Sequence, residues 1–308
     1  MKSAKCIVVG SRGSKLAIIQ SELVMSELAK RHPHVQFELL TVTTTGDRRK
    51  HAPLEQLGGE GVFVKELEDA LSAGRVDLAV HSLKDMPTET PGEFRLAAVT
   101  ERADPRDALV SSSGKLADLP PNARVGTGSQ RRAVQLLAQR PDLDVRPLRG
   151  NVDTRLSKVS SGELDAIVLA AAGLLRLGLD SMITEYLPPQ AFVPAVGQGA
   201  LGIEIRGEDD ETAELVGHVN HEATWLGVTS ERAFLQSLGG GCRVPIGALA
   251  TVEDARLHLM GMVASPAGGE ILHAEVEGNP LAPGEVGTQL AQKMMGMGAA
   301  SLLEGSEQ

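Results

Sequence analysis

The sequence is poor in residues that whole classes of function depend on. Its 308 positions hold two cysteines, one tryptophan, one tyrosine and five phenylalanines. Cys6 and Cys242 lie far apart, which argues against a disulfide framework and a cysteine-based zinc site. So few rings make no stacking platform for single-stranded nucleic acid, and a net charge of −10 opposes a polyanion partner. The longest nearly apolar run, Ala166 to Leu175, includes Gly173 and is too short for a membrane helix. Before Gly10 and Arg12 stands only Cys6-Ile7-Val8-Val9, too short for the core of a secretion signal. The expectation is a soluble, cytoplasmic chain without a membrane or nucleic-acid partner. The histidines form no metal set. His218-x-x-His221 has helical spacing but no third ligand nearby, His32 and His34 flank Pro33, and a local hydrogen bond would satisfy His81. Cys6, in a strand, is expected to be core.

What is present is an ordinary globular balance, 42% hydrophobic and 23% charged, in a chain long enough for two or three domains. Charge is uneven. Arg124 to Lys158 carries eight basic residues against Asp142, Asp144 and Asp153. One basic segment in an acidic protein points to a small anion.

Strand-like and helix-like segments alternate through the first two thirds. Lys5 to Val9 reads as a strand, Ser14 to Lys30 as a helix and Gln36 to Val42 as a strand. Phe63 to Ala73 reads as a helix stopped by Gly74. Asp77 to Val80 is a strand entering His81-Ser82-Leu83-Lys84-Asp85-Met86-Pro87. Pro87 steers Met86 away from helix, so Lys84 and Asp85 fall in a loop past a strand end. Strands at Ala123 to Val125, Val145 to Leu148 and Asp165 to Leu169 each precede a helix. This alternation predicts parallel sheets. The last third predicts an α+β domain: a helix from Glu222 to Leu238, three strands between Val244 and Glu277, and one final helix from Gly284 to Leu303. Arg102 to Asp107 and Pro194 to Gly199 read as crossings between domains.

Three turns share one design: Gly10-Ser11-Arg12-Gly13-Ser14, Gly126 to Arg132, and Arg149 to Arg155. Each sets backbone N–H groups, small polar side chains and arginine at a helix start, a combination that holds anions. Singly, each could be a glycine turn with a capping side chain and a solvated arginine. None matches a nucleoside-phosphate motif. Lys84-Asp85 is the best acid–base candidate, its alternative an exposed surface pair. Cys242 follows three glycines and precedes Arg243, which favours thiolate; it is a candidate nucleophile or attachment point, or an incidental thiol.

The motif from His81 to Pro87, the Gly126 to Arg132 turn, Leu148 to Lys158, Pro194 to Gly199, and Gly239-Gly240-Gly241-Cys242-Arg243-Val244-Pro245-Ile246-Gly247 occur in an order that resembles the porphobilinogen deaminase (hydroxymethylbilane synthase) family. The resemblance spans essentially the whole chain. It implies two periplasmic-binding-protein-like α/β domains with a cleft between them, and a C-terminal α+β domain with an antiparallel sheet. The implied boundaries are 1–100 with 196–217, then 101–195, then 218–308. It implies a monomer that joins four porphobilinogen molecules head to tail with loss of ammonia, giving hydroxymethylbilane for tetrapyrrole synthesis. A dipyrromethane cofactor on Cys242, held by a thioether, primes the chain.

The resemblance assigns Asp85 to catalysis. It assigns Lys84, Thr127, Ser129, Arg131, Arg132, Asn151, Arg155, Ala170 and Gly173 to the cofactor, and Arg12, Ser14, Phe63, Arg149, Arg176, Gln198 and Gly199 to substrate or hinge. Each added ring brings two carboxylates, which accounts for the arginines. Gln56 and Glu60 stand where relatives often have lysine in a lid loop, Arg243 where glutamine is common, and Asp153 where a neutral residue is common. The competing reading is a non-catalytic binding protein for a small polycarboxylate, which would need neither Cys242 nor Asp85.

Overall fold

The computed structural model describes residues 5–43, 64–239, 245–266 and 268–304. The chain divides into two compact units, Met1–Arg102 with Ala200–Trp225, and Ala103–Gly199 with Leu226–Gln308. In chain order, β1 (Lys5–Arg12), α1 (Lys15–Arg31), β2 (Val35–Val42), α2 (Lys65–Ser72), β3 (Leu78–Ser82) and β4 (Phe94–Val99) come first. Then follow β5 (Asp107–Ser111), β6 (Arg124–Thr127), α3 (Gln130–Gln139), β7 (Asp144–Pro147), α4 (Val152–Ser160), β8 (Ala166–Ala170), α5 (Ala171–Arg176) and β9 (Glu185–Leu187). The chain returns to the first unit with β10 (Leu201–Arg206) and α6 (Asp210–Gly217), and the division falls within α7 (Glu222–Ser237). It ends with β11 (Ile246–Glu253), β12 (Arg256–Ala264), β13 (Ile271–Gly278), α8 (Pro283–Gly296) and α9 (Ala299–Glu304).

The first unit has the sheet order β2-β1-β3-β10-β4. Strands β1 to β3 run parallel, whereas β10 is antiparallel to both β3 and β4. Val24 and Leu28 of α1 and Val216 of α6 cover one face, over Ile7, Val9, Leu78, Val80, Ile203 and Ile205. Leu67, Ala70 and Leu71 of α2 cover the other, over Val42 and Ala79. The apolar spacing read as helix thus becomes the inward stripe of α2, whereas in α1 Leu23 is exposed and Val24 takes the inward position with Leu28.

The second unit repeats the winding as β7-β6-β8-β5-β9, with β5 as the antiparallel strand. The C-terminal strands form a separate antiparallel sheet, β11-β12-β13. Phe234 of α7 and Leu290 and Met294 of α8 cover one of its faces, over Leu257, Leu259 and Val263. Its Met262 and Ala264 pack on Val134 of α3 and on Val193. Among the described residues no helix is long and apolar enough to cross a membrane.

Four expectations need correction. Neither α/β sheet is purely parallel: β10, from a distant part of the chain, enters the first, and in the second the opening strand β5 runs against its neighbours. The final helix is two, α8 and α9, parted at Gly298, whose φ of +103° lies in the left-handed region that glycine tolerates. Lys84 and Asp85 lie in a turn of 3-10 helix, Leu83–Asp85, rather than an irregular loop. Cys6 is exposed, since it lies near the start of β1 beside Gln36 of β2 while Ile7 and Val9 take the covered positions.

Candidate active site

In the first unit the candidate residues share one sheet edge. Strands β1 and β3 are parallel, so both deliver their C-terminal ends to it. Arg12 ends β1, and Ser14 caps α1 by accepting from the Ala17 N–H at 3.2 Å. A capping hydroxyl that accepts a backbone N–H keeps its own proton for an anion. The turn after β3 closes through the Met86 N–H, which donates to Leu83 O at 3.1 Å. Leu83 and Met86 are buried, Lys84 is half-buried and Asp85 is exposed. Two apolar anchors therefore hold the turn while its charged pair faces outward.

The strand feeding that turn is fastened on both faces. Gln20 of α1 hydrogen-bonds the Ser82 hydroxyl at 2.9 Å. His81 Nε2 lies 3.0 Å from Glu204 Oε2 of β10, with both side chains buried. His81 was expected to bond locally, but its partner is 123 positions away, brought there by the antiparallel insertion of β10.

In the second unit β6, β7 and β8 are parallel and β5 runs against them, so three C-terminal ends and one N-terminal end share an edge. Thr127 ends β6 and accepts from the Ser129 N–H at 3.2 Å, and Ser129 caps α3. Asn151 caps α4, its Oδ1 accepting from the Thr154 N–H at 2.9 Å. Arg155 Nε donates to Gly150 O at 2.8 Å, and Arg149 stands one position before that glycine. Asp153 falls in the first turn of α4, as expected of an acid at a helix start. Ala170 ends β8, and α5 carries Gly173 and Arg176 away from it.

At the same edge Asp107 opens β5 with its carboxylate fully buried. It accepts from Arg131 Nη1 at 2.8 Å, from Arg132 Nε at 3.0 Å and Nη2 at 2.8 Å, and from Gln198 Nε2 at 2.9 Å. Burial pushes its carboxyl up, but the two guanidiniums outweigh this and hold it far below the usual carboxylate range. Two cations against one anion leave this cluster positive. Arg176 adds to that excess. It donates to Gly199 O at 2.7 Å, and burial alone lowers its guanidinium to about 10. No carboxylate among the described residues pairs with it. Gly197 and Gly199, with φ of +70° and +91°, flank Gln198 in conformations that side chains rarely adopt.

Phe63, Gln56, Glu60, Gly240, Gly241, Cys242 and Arg243 lie outside the described residues. The anchor beyond Cys242 is described. The Ala248 N–H donates to Pro194 O at 3.0 Å, and a Cβ at Gly247 would sit 2.8 Å from Pro194 O and 3.1 Å from Arg131 Cδ. Gly247 is therefore packed against the stem of Arg131. Glu231 of α7, fully buried, accepts from the Gly197 N–H and the Ala250 N–H at 2.7 and 2.8 Å, which ties the second crossing to the C-terminal sheet.

Sequence reading missed Asp107, Glu204 and Glu231. Their partners are 19 or more positions away, so only the strand order could reveal them. His218 caps α6 and His221 precedes α7, so the two do not share a helix. No group of three metal-ligating side chains occurs among the described residues.

Residues 7–214 match the family described as porphobilinogen deaminase, dipyromethane cofactor binding domain, and residues 225–296 match the porphobilinogen deaminase C-terminal domain. The chain belongs to the porphobilinogen deaminase family. Its relatives include the porphobilinogen deaminases of Roseiflexus castenholzii, 48% identical over 97% of this chain and 99% of that one, and of Chromobacterium violaceum, 49% identical over 96% of each. That of Alkaliphilus metalliredigens is 46% identical over 97% of this chain and 95% of its own. Among solved structures, the periplasmic aliphatic sulphonate binding protein SsuA from Escherichia coli aligns with a TM-score of 0.40 and 15% identity, covering 76% of this chain and 71% of that one.

Proposed function

We propose that this chain joins four porphobilinogen molecules head to tail, releasing ammonia at each step, to give hydroxymethylbilane for tetrapyrrole synthesis. The observation that carries the reading is the match of residues 7–214 to the dipyromethane-cofactor-binding domain of the family. The side chains present suit that group. A dipyrromethane brings several carboxylates, and the second unit offers a net-positive Arg131–Arg132–Asp107 cluster, a desolvated Arg176 and two capped helix starts. When bound, the dipyrromethane supplies the free pyrrole carbon to which substrate is joined. Cys242 is the residue to which it is attached. Lys84, Thr127, Ser129, Arg131, Arg132, Asn151 and Arg155 hold its carboxylates, with Ala170 and Gly173 beside it.

Arg12, Ser14, Arg149 and Arg176 take the acetate and propionate arms of incoming porphobilinogen, and Phe63 lies against its ring. Each joining forms one carbon–carbon bond, releases one ammonia and removes one proton from a pyrrole carbon. Asp85, exposed on a turn with buried anchors, stabilises the positive charge that develops on pyrrole nitrogen and moves that proton. Gln198 and Gly199 act as a hinge. The chain acts as a cytoplasmic monomer of three domains, 1–100 with 196–217, 101–195, and 218–308.

Intact mass of the purified protein beside a Cys242→Ser variant tests the proposal. The expected excess in the parent is two porphobilinogen units less two ammonia, absent from the variant. A bare polypeptide mass that stays bare after incubation with porphobilinogen would overturn the reading in favour of a polycarboxylate-binding protein.

A further inference from the structure

Beneath the Lys84–Asp85 turn lies a buried polar pair whose presence packing does not explain. His81 and Glu204 are 5% and 0% exposed, on a sheet face otherwise filled by apolar residues such as Ala79, Leu67 and Leu71. Glu204 Oε2 meets His81 Nε2 at 3.0 Å, and Glu204 Oε1 has no hydrogen-bond partner among the described residues. Burying two ionisable groups and stranding a carboxylate oxygen costs stability that apolar residues of the same volume would not cost. A third ionisable group adds to the load. Burial raises the half-buried Glu68 of α2 above its usual range, the Glu204 charge pushes it further, and only His81 opposes them.

The location suggests what offsets this cost. His81 is opposite Gly202 in the β3–β10 ladder, and Ser82 is opposite Leu201. One residue further on, the Leu83 N–H donates to Ala200 O at 3.1 Å. A Cβ at Gly202 would lie 2.9 Å from Leu83 Cδ1 and 3.1 Å from Met86 Sδ, so both anchors of the turn rest on β10. The seat of Asp85 is thus the first residues of β10; of that strand's side chains, Arg206 pairs with Asp77 at the far, N-terminal end of β3, and Glu204 makes the polar contact nearest the turn.

We propose that Glu204 is a positioning residue for the reaction: by holding His81 it fixes the end of β3, and through it the aim of Lys84 and Asp85. This rests on the role given to Asp85 above. Displacing an acid–base group by about 1 Å costs on the order of 100-fold in rate.

The test compares Glu204→Gln, Glu204→Leu, His81→Gln and the double variant His81→Gln/Glu204→Gln with the parent, all as holoenzyme. Cofactor content is read by intact mass, folding by thermal unfolding, and kcat and KM with porphobilinogen. The near-isosteric Glu204→Gln keeps a hydrogen bond to His81 and is expected to lose roughly 10-fold in kcat. Glu204→Leu is expected to lose roughly 100-fold with KM within about 2-fold and cofactor retained. The double variant should be no slower than the worse single, because the two residues act through one contact. Variants that melt earlier but keep the parent kcat would show a merely structural pair and overturn the proposal, as would losses that multiply in the double variant. A parent that does not turn over porphobilinogen would overturn the functional reading and this proposal together, so the two failures are told apart.

Discussion

The side-chain amide of Gln198 donates to the buried carboxylate of Asp107 at 2.9 Å, joining positions 91 residues apart. The same carboxylate receives Arg131 and Arg132. One anion therefore sets the place of two arginines and of the residue between the two crossing glycines.

Asp107→Asn is expected to destabilise the protein by about 3–5 kcal/mol at neutral pH, because it leaves two buried guanidiniums without their counter-charge. The folded carboxyl titrates below its unfolded value. Its contribution is therefore complete above the ordinary aspartate range and is lost only as pH falls through the folded value. Denaturant unfolding of parent and variant should differ fully at pH 7 and converge only in strong acid.

Asp85→Asn is expected to lower kcat by roughly 100- to 10,000-fold, the usual span for a positioned acid–base group. The turn should survive, since Leu83 and Met86 anchor it and Asp85 is exposed. Rate assays beside intact mass would show a loaded but slow enzyme. Equal loss of rate and of cofactor would point to assembly instead.

Arg176→Gln is expected to lower kcat/KM for porphobilinogen by roughly 10- to 100-fold, the worth of one charge-assisted contact. In the parent, burial lowers this guanidinium to about 10. Its cation, and the anion affinity that goes with it, should fade as pH rises through that value. Substrate titrations across alkaline pH should show this limb in the parent and not in the variant.

Gly287→Ala probes the C-terminal domain. A Cβ there would overlap the Ser230 carbonyl and lie 2.7 Å from the Phe234 N–H, where α8 crosses α7. Both contacts are backbone, so the helices must part. A loss of about 1–3 kcal/mol is expected in thermal unfolding, with kcat of the loaded enzyme unchanged.

Much of this was legible in the sequence, for physical reasons. The three anion turns are local, so Ser14, Ser129 and Asn151 could be read as caps from the residues beside them, and each is one. The C-terminal antiparallel sheet was also legible, since its strands follow one another directly. Strand β10 was not. Leu-Gly-Ile-Glu-Ile-Arg carries a glycine and a buried glutamate, signals of a turn or a surface, and only β3 and β4 on either side turn it into a central strand. Asp107 escaped for the same reason: an acid in a crossing segment reads as solvated until the strand order brings Arg131 and Arg132 to it.

The insertion of β10 between β3 and β4 has a consequence for the order in which the protein is made. The first hundred residues leave the ribosome with every strand of their sheet except one that belongs near its middle. Until Leu201–Arg206 emerges, β3 and β4 each present an unpaired edge. At about 5–20 residues per second, those edges wait for several seconds or more. The second α/β sheet, wound from one continuous stretch, can close in that interval. The protein is therefore finished out of order, its opening segment among the last to be completed.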